Sequence, residues 1–180
     1  MNFEKISSSI EYYGRAFNVR KDHFRTPSNK TKAYDVIDHV NSVCMVPIDS
    51  QGNIHFVRQF RPAIGESVLE LPAGTLDEEE PFEQGCIREL REEIGMEAKS
   101  ILRLGAFYLA PGYCTELMEA YLVSNLVANP LPPDDDEYLE VIKIPVKTVY
   151  QIAAEGKITD SKSLAALLLA KVHLEKQLAD

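Results

Sequence analysis

The 180-residue chain has no tryptophan and three cysteines, and nowhere does it hold an apolar run near the roughly 18 residues that a membrane span needs. Cys44, Cys86 and Cys114 lie far apart, without metal-type spacing, and an odd count does not build a disulfide framework. They read as packed thiols. Positive charge is also short, with 19 Lys and Arg against 28 Asp and Glu and a formal net charge of −9. Proteins that grip phosphate backbones normally carry a basic face, so the charge argues against broad nucleic-acid binding. The start, Met-Asn-Phe-Glu-Lys-Ile-Ser, lacks the basic and apolar stretches of a signal peptide, so the expected compartment is the cytoplasm. His23, His39, His55 and His173 are scattered without ligand spacing, and no serine or cysteine sits in a nucleophile elbow, so covalent catalysis finds no support.

What the chain does have is carboxylate. Gly74, Glu80, Arg88, Glu89, Leu90, Glu92, Glu93, Gly95 and Met96 satisfy the spacing Gly-x5-Glu-x7-Arg-Glu-U-x-Glu-Glu-x-Gly-U, where U is a bulky aliphatic. At ordinary residue usage that pattern arises at roughly one start position in 10^9. A helix is expected from about Pro81 to Ile94, with the proline just inside its start and Gly95 just past its end. At 100° per residue Phe82, Cys86, Leu90, Ile94 and Ile87 form one apolar stripe, while Glu89, Glu92 and Glu93 fall within an arc of about 100° on its flank. Like charges at this spacing oppose each other, and partial burial makes that worse. A hard divalent cation removes the conflict, because magnesium takes oxygen ligands, commonly a few carboxylates with water and substrate phosphate.

Two residues of the helix have paired readings. Gly85 costs about 1 kcal/mol of helix propensity; it either leaves room for phosphate or a second ion, or allows close packing. Arg88 is either an ordinary partner of Glu92 or a fixed cation that orients Glu89 or Glu92. Before this pattern, Arg58 and Arg61 are placed to offset the negative field that an anionic substrate would meet.

Along the rest of the chain, three or so strands are expected between Glu11 and Asp49, with a turn at Thr26–Lys30. Asp49–Asn53 reads as a hairpin turn, followed by strands over 54–60 and 68–71. After the helix, strands are expected over 101–109, 117–123 and 138–144, and helices over 149–155 and 162–178. The last carries an alanine-leucine stripe through Leu164, Leu167, Leu168 and Val172. The acidic run Asp134–Glu137 follows a proline-rich stretch and is a candidate source of a mobile general base.

The pattern is identified as a Nudix box, and most of residues 10–178 resembles the ADP-ribose pyrophosphatase branch of the Nudix hydrolases. Arg58-Gln59-Phe60-Arg61, Glu70-Leu71-Pro72-Ala73-Gly74 and Pro111 carry that likeness beyond the box. The resemblance implies an α/β/α sandwich around a mixed sheet, with residues 43–180 as the Nudix domain. It also implies an N-terminal β-region over residues 1–42, swapped over the partner in a homodimer. It makes Glu89 and Glu93 the principal metal ligands, completed by Glu92 and the Ala73 carbonyl, with Mg²⁺ as cofactor and Mn²⁺ able to substitute. Arg58, Arg61 and Glu70 become candidate substrate contacts. The candidate base is Glu137 or Glu140, with Asp135, Glu116 and Glu92 as further catalytic candidates. The implied reaction is hydrolysis of ADP-ribose to AMP and ribose 5-phosphate. GDP-mannose hydrolysis and a non-catalytic ADP-ribose sensor are the alternatives.

Overall fold

A computed structural model describes residues 2–132 and 138–175. These form two compact units, one made of residues 1–41 with Phe107–Leu117, the other of Ser42–Ala106 with 118–180.

The first unit is a three-stranded antiparallel sheet in the order β1-β2-β3, with β1 at Glu4–Tyr13, β2 at Asn18–Arg25 and β3 at Thr31–Asp38. The expected turn at Thr26–Lys30 joins β2 to β3, closed by Thr26 N–H donating to Lys30 O, with Asn29 in the left-handed region at φ 60°. No residue pattern marked strand β1, which lies within the β-region over 1–42 that the resemblance implied. All ten of its residues are exposed, so burial alternation gives it no signature, and pairing with β2 makes it a strand. Asp22 on β2 is buried, and its carboxylate meets Lys5, Arg20 and Ser8 at 3.0, 3.1 and 2.5 Å. Burial works to raise its pKa, but these donors together hold it below the usual carboxylate value. Segment 107–117 joins β3, with Ile37 N–H donating to Tyr113 O at 2.7 Å and Thr115 N–H to Ile37 O at 3.0 Å.

The second unit contains two sheets. In one, β4 (Ser42–Pro47) lies between β7 (Ala73–Thr75) and β9 (Leu117–Ala128), with β8 (Met96–Tyr108) beyond β9. The β4–β9 pair is parallel and the β4–β7 pair antiparallel, so this sheet is mixed. The other has β5 (Asn53–Arg61) between β10 (Leu139–Pro145) and β6 (Glu66–Glu70), all antiparallel. Every residue of β4 is buried, as expected of a strand covered on both faces. Val43 and Met45 point to a core shared with Cys86 and Leu90 of α1 (Phe82–Glu93). Helix α3 (Ser161–Ala170) packs on β4 too, while α2 (Val146–Ala154) covers β5 and β10. The expected turn at Asp49–Asn53 is present, with Gly52 at φ 76°.

The box helix is shorter than expected at both ends. Pro81 is its N-cap in extended conformation, Ile94 its C-cap, and Gly95 follows at φ 69°. Helix α3 stops at Ala170, where a 3-10 turn over Lys171–His173 takes over. Its expected stripe is rotated. Ala166, Leu167 and Ala170 are buried, whereas Leu164, Leu168 and Val172 are exposed, because the Asp160 cap turns Lys162 and Ser163 inward. No helix among the described residues is long and apolar enough to cross a membrane.

Candidate active site

The buried face of α1 is not purely apolar. Glu89 and Glu93 are buried at 7% and 6% exposure, because the helix presses their stems against β7 while Cys86 and Leu90 fill the core beside them. Burying two carboxylates costs several kcal/mol unless each finds a partner. Glu93 accepts a hydrogen bond from the Ala73 N–H at 2.9 Å. Glu89 lies against Gly74, where an added Cβ would stand 1.9 Å from its carboxyl carbon. The glycine of the box is therefore the space in which the Glu89 carboxylate sits.

Arg88 settles its own paired readings by holding several groups at once. Its Nη1 donates to Glu89 at 2.7 Å and to Glu92 at 2.9 Å, its Nη2 to Glu80 at 2.8 Å and to the Thr75 carbonyl at 2.8 Å, and its Nε to Glu80 at 3.0 Å. One guanidinium thus clasps three carboxylates, two of which neighbour Glu93 on the helix. The Glu80 hydrogen bond is the largest influence raising the Arg88 pKa, and Arg88 in turn lowers that of Glu80. Gly85 serves close packing. A Cβ there would stand 2.3 Å from Leu76 Cδ2 and 3.1 Å from Glu80 Oε2, so the glycine lets the loop before the helix lie flat upon it.

Beside this cluster stands a second charged network. Arg61 donates to both oxygens of Glu70, Nε to Oε1 at 2.8 Å and Nη2 to Oε2 at 2.6 Å. Lys162 of α3 also bonds Glu70, and reaches Asp160 at 3.0 Å. Burial works to raise the Glu70 pKa, but Arg61 and Lys162 outweigh it and hold the group below its ordinary value. Glu70 chiefly raises the Arg61 pKa, and Asp160 and Glu93 add to the effect. Sequence reasoning missed Asp160, Lys162 and Ser163. The signal was there: an Asp three residues before a Ser at a helix start, and a lysine within an apolar helix face. Asp160 accepts from the Ser163 N–H at 3.0 Å, and the Ser163 hydroxyl, which donates to Asp160 at 2.5 Å, accepts from the Leu71 N–H at 2.7 Å.

The remaining expected residues are distributed as follows. Arg58 and Glu140 face each other across the β5–β10 pair and form an exposed ion pair at 3.5 Å. Strand alternation puts Arg58 on the opposite face of β5 from Arg61. Glu70, expected to contact substrate, is buried with both oxygens engaged by Arg61 and Lys162. Glu116 belongs to the first unit and lies 3.8 Å from His39. Glu137, with Asp135, lies outside the described residues.

The donor set suits a hard divalent cation. Glu89, Glu92 and Glu93 are all oxygen donors, and the Arg88 guanidinium on Glu89 and Glu92 is shared with Glu80. Among the described residues no three acidic, histidine or cysteine side chains converge on a single point. Arg88 bonds Oε1 of Glu89 and Oε2 of Glu92, and the Ala73 N–H bonds Oε2 of Glu93.

The mixed sheet and the sequence pattern of the box agree with what comparison finds. The NUDIX domain family model matches residues 38–167, and the chain belongs to the Nudix family. Members of that family generally need a divalent metal. Within it, the chain is 33% identical over 170 residues to an ADP-ribose pyrophosphatase of Mycobacterium tuberculosis, covering 93% of this chain and 82% of that one. It is 27% identical over 164 residues to an ADP-ribose pyrophosphatase of Bacillus subtilis, covering 90% and 89%. A crystal structure of an ADP compounds hydrolase has the same fold, with a TM-score of 0.87 at 20% identity over 98% of this chain and 96% of that one.

Proposed function

We propose that this Nudix protein hydrolyses the pyrophosphate bond of a nucleoside diphosphate sugar, with ADP-ribose as the leading substrate and AMP and ribose 5-phosphate as products. The observation that carries the reading is the buried carboxylate cluster. Glu89 and Glu93 are buried against Gly74 and Ala73, and Arg88 is the cation that Glu89 shares with Glu92 and Glu80. Purely structural burial of such charge would be weak stabilisation at best, since apolar replacements of buried ion pairs are often neutral or stabilising. The named relatives support the substrate class.

In this reading Glu89, Glu92, Glu93 and the Ala73 carbonyl hold Mg²⁺, with Mn²⁺ as a substitute. When bound, the cation supplies positive charge for the pyrophosphate and acidifies water. The chain's own residues do the rest. Arg88 holds Glu89 and Glu92 ready, Arg61 presents its exposed edge to a phosphate, and a carboxylate orients the attacking water. Glu92, Glu116, Glu137 and Glu140 are the candidates for that last role. Arg58 is an additional anion contact on the other face of β5. Ile6, Ile10, Tyr12 and Tyr13 of β1 are exposed, which supports a homodimer in which a second copy covers this strand. Light scattering would refute the dimer by returning the monomer mass.

The deciding experiment is phosphate release, through a coupled phosphatase, from ADP-ribose, GDP-mannose and other nucleotide sugars, each with Mg²⁺ and with chelator. Metal-dependent turnover of ADP-ribose is expected, and Glu93→Gln should abolish it. Tight ADP-ribose binding with no turnover of any substrate would replace the hydrolase by a sensor.

A further inference from the structure

A lysine is almost never fully buried unless it is paired. Lys162 is 7% exposed, and its ammonium bridges Asp160 at 3.0 Å and the buried Glu70. Glu70 is then clasped from its other side by Arg61 through two parallel hydrogen bonds of 2.8 and 2.6 Å. The charges alternate in sign along the row Asp160, Lys162, Glu70, Arg61. Three of the four side chains are at most 15% exposed, while Arg61 is 41% exposed. The row thus runs from the cap of α3 to one accessible guanidinium edge. Glu70 uses Nε and Nη2 of that group, which leaves Nη1 on the edge away from Glu70.

Each link has a physical task. A bidentate carboxylate fixes the plane of a guanidinium and, with it, the direction of the remaining donors. A buried carboxylate holds that geometry only while ionised, and one cation with a half-exposed side chain offsets its desolvation incompletely. Lys162 supplies the second, buried cation. Asp160 and Ser163 then fix Lys162 by capping α3 and by tying Leu71, the residue after Glu70, to the same helix.

We propose that Lys162 is a positioning residue for substrate binding: it keeps Glu70 charged and in register so that Arg61 presents its free edge to a phosphate of the nucleotide sugar. This rests on the hydrolase reading above, in which Arg61 meets substrate. Lys162 itself touches none.

The test is a double-mutant cycle with ADP-ribose and Mg²⁺. Lys162→Met keeps the length and removes the charge. KM should rise about tenfold, with kcat within about threefold, and Lys162→Arg should recover most of the loss. In an Arg61→Met background, Lys162→Met should raise KM less than about twofold further, because the guanidinium it serves is gone. The same KM rise with and without Arg61 would overturn the proposal, and so would an effect confined to Tm. Should Lys162→Met not fold, Glu70→Gln enters the same cycle with the same expectation. If the wild type shows no turnover, the hydrolase reading fails on its own, and the cycle is read from equilibrium binding of ADP-ribose without metal. A wild type that neither turns over nor binds ADP-ribose overturns both.

Discussion

Replacing Gly74 by alanine separates the role of the box glycine from that of the backbone. Gly74 is not in the left-handed region, so alanine meets no conformational penalty there. Its nearest obstacle is Glu89, whose carboxyl carbon and two oxygens would lie 1.9, 2.0 and 2.2 Å from the new Cβ. Ordinary contact needs about 3.4 Å or more, so the carboxylate must retreat by about 1.5 Å. That movement breaks its 2.7 Å hydrogen bond with Arg88. A charge-assisted bond of this kind contributes about 1.5–3 kcal/mol, against about 0.4–1 kcal/mol gained because alanine restricts the unfolded chain. The net cost is about 1–2 kcal/mol, or a fall in Tm of about 2–8 °C for a domain of this size. The chemistry suffers more, because about 1 Å of misplacement can cost 10²-fold in rate. We expect kcat to drop at least about 100-fold and the metal concentration for half-activity to rise, measured by coupled phosphate release across a Mg²⁺ titration alongside thermal unfolding. Wild-type turnover and metal dependence in Gly74→Ala would refute the assignment of Glu89 as a ligand whose position matters.

Gly85→Ala should behave in the opposite way. The group it displaces is chiefly the end of the flexible Leu76 side chain, and about 1 kcal/mol of helix propensity offsets the disturbance, so turnover should stay within about threefold. A selective loss of metal-dependent turnover at unchanged Tm would mean that the glycine makes room for substrate phosphate. The folded Glu70 carboxyl has a depressed pKa, so its contribution to stability is complete above the ordinary carboxylate value of about 4.5 and is lost as pH falls through the folded pKa. Glu70→Gln should therefore flatten the acid limb of a Tm-against-pH curve below about pH 4.5, and an unaltered acid limb would refute this. Burial pushes the Cys86 thiol up to about 12 and that of Cys44 higher still, and both are fully enclosed. In the native protein a thiol reagent should modify Cys114 alone, and all three only after unfolding; mass mapping of native adducts at Cys44 or Cys86 would contradict the packing.

The helix of the box was legible because its signals are local. Pro81 and Gly95 mark its ends, and the spacing of Cys86, Leu90 and Ile94 fixes its inner face. The depth of Glu89 and Glu93 was not, because a carboxylate at the edge of an apolar stripe looks solvent-facing until β7 is laid against it. That Glu89, Glu92 and Glu93 share one flank of the helix could be read from spacing alone. The Lys162 network could not, because it joins residues that meet only when α3 packs against β4. Strand β1 escaped for a related reason, since its partner dictates its conformation and its own pattern does not.

Because the first unit is built from two separated stretches, its assembly has an order in time. Residues 1–41 leave the ribosome with β1 and its Ile6 and Ile10 exposed, yet Ile37 and His39 lack their partners Tyr113 and Thr115 until residues 107–117 have been made. At about 5–20 residues per second that interval lasts several seconds. The N-terminal sheet is thus finished only after the whole box has been synthesised. A chain begun at Ser42 would leave the Tyr113 carbonyl and the Thr115 N–H without their Ile37 partners, so deleting the first 41 residues should loosen the segment that follows the box, far away in sequence.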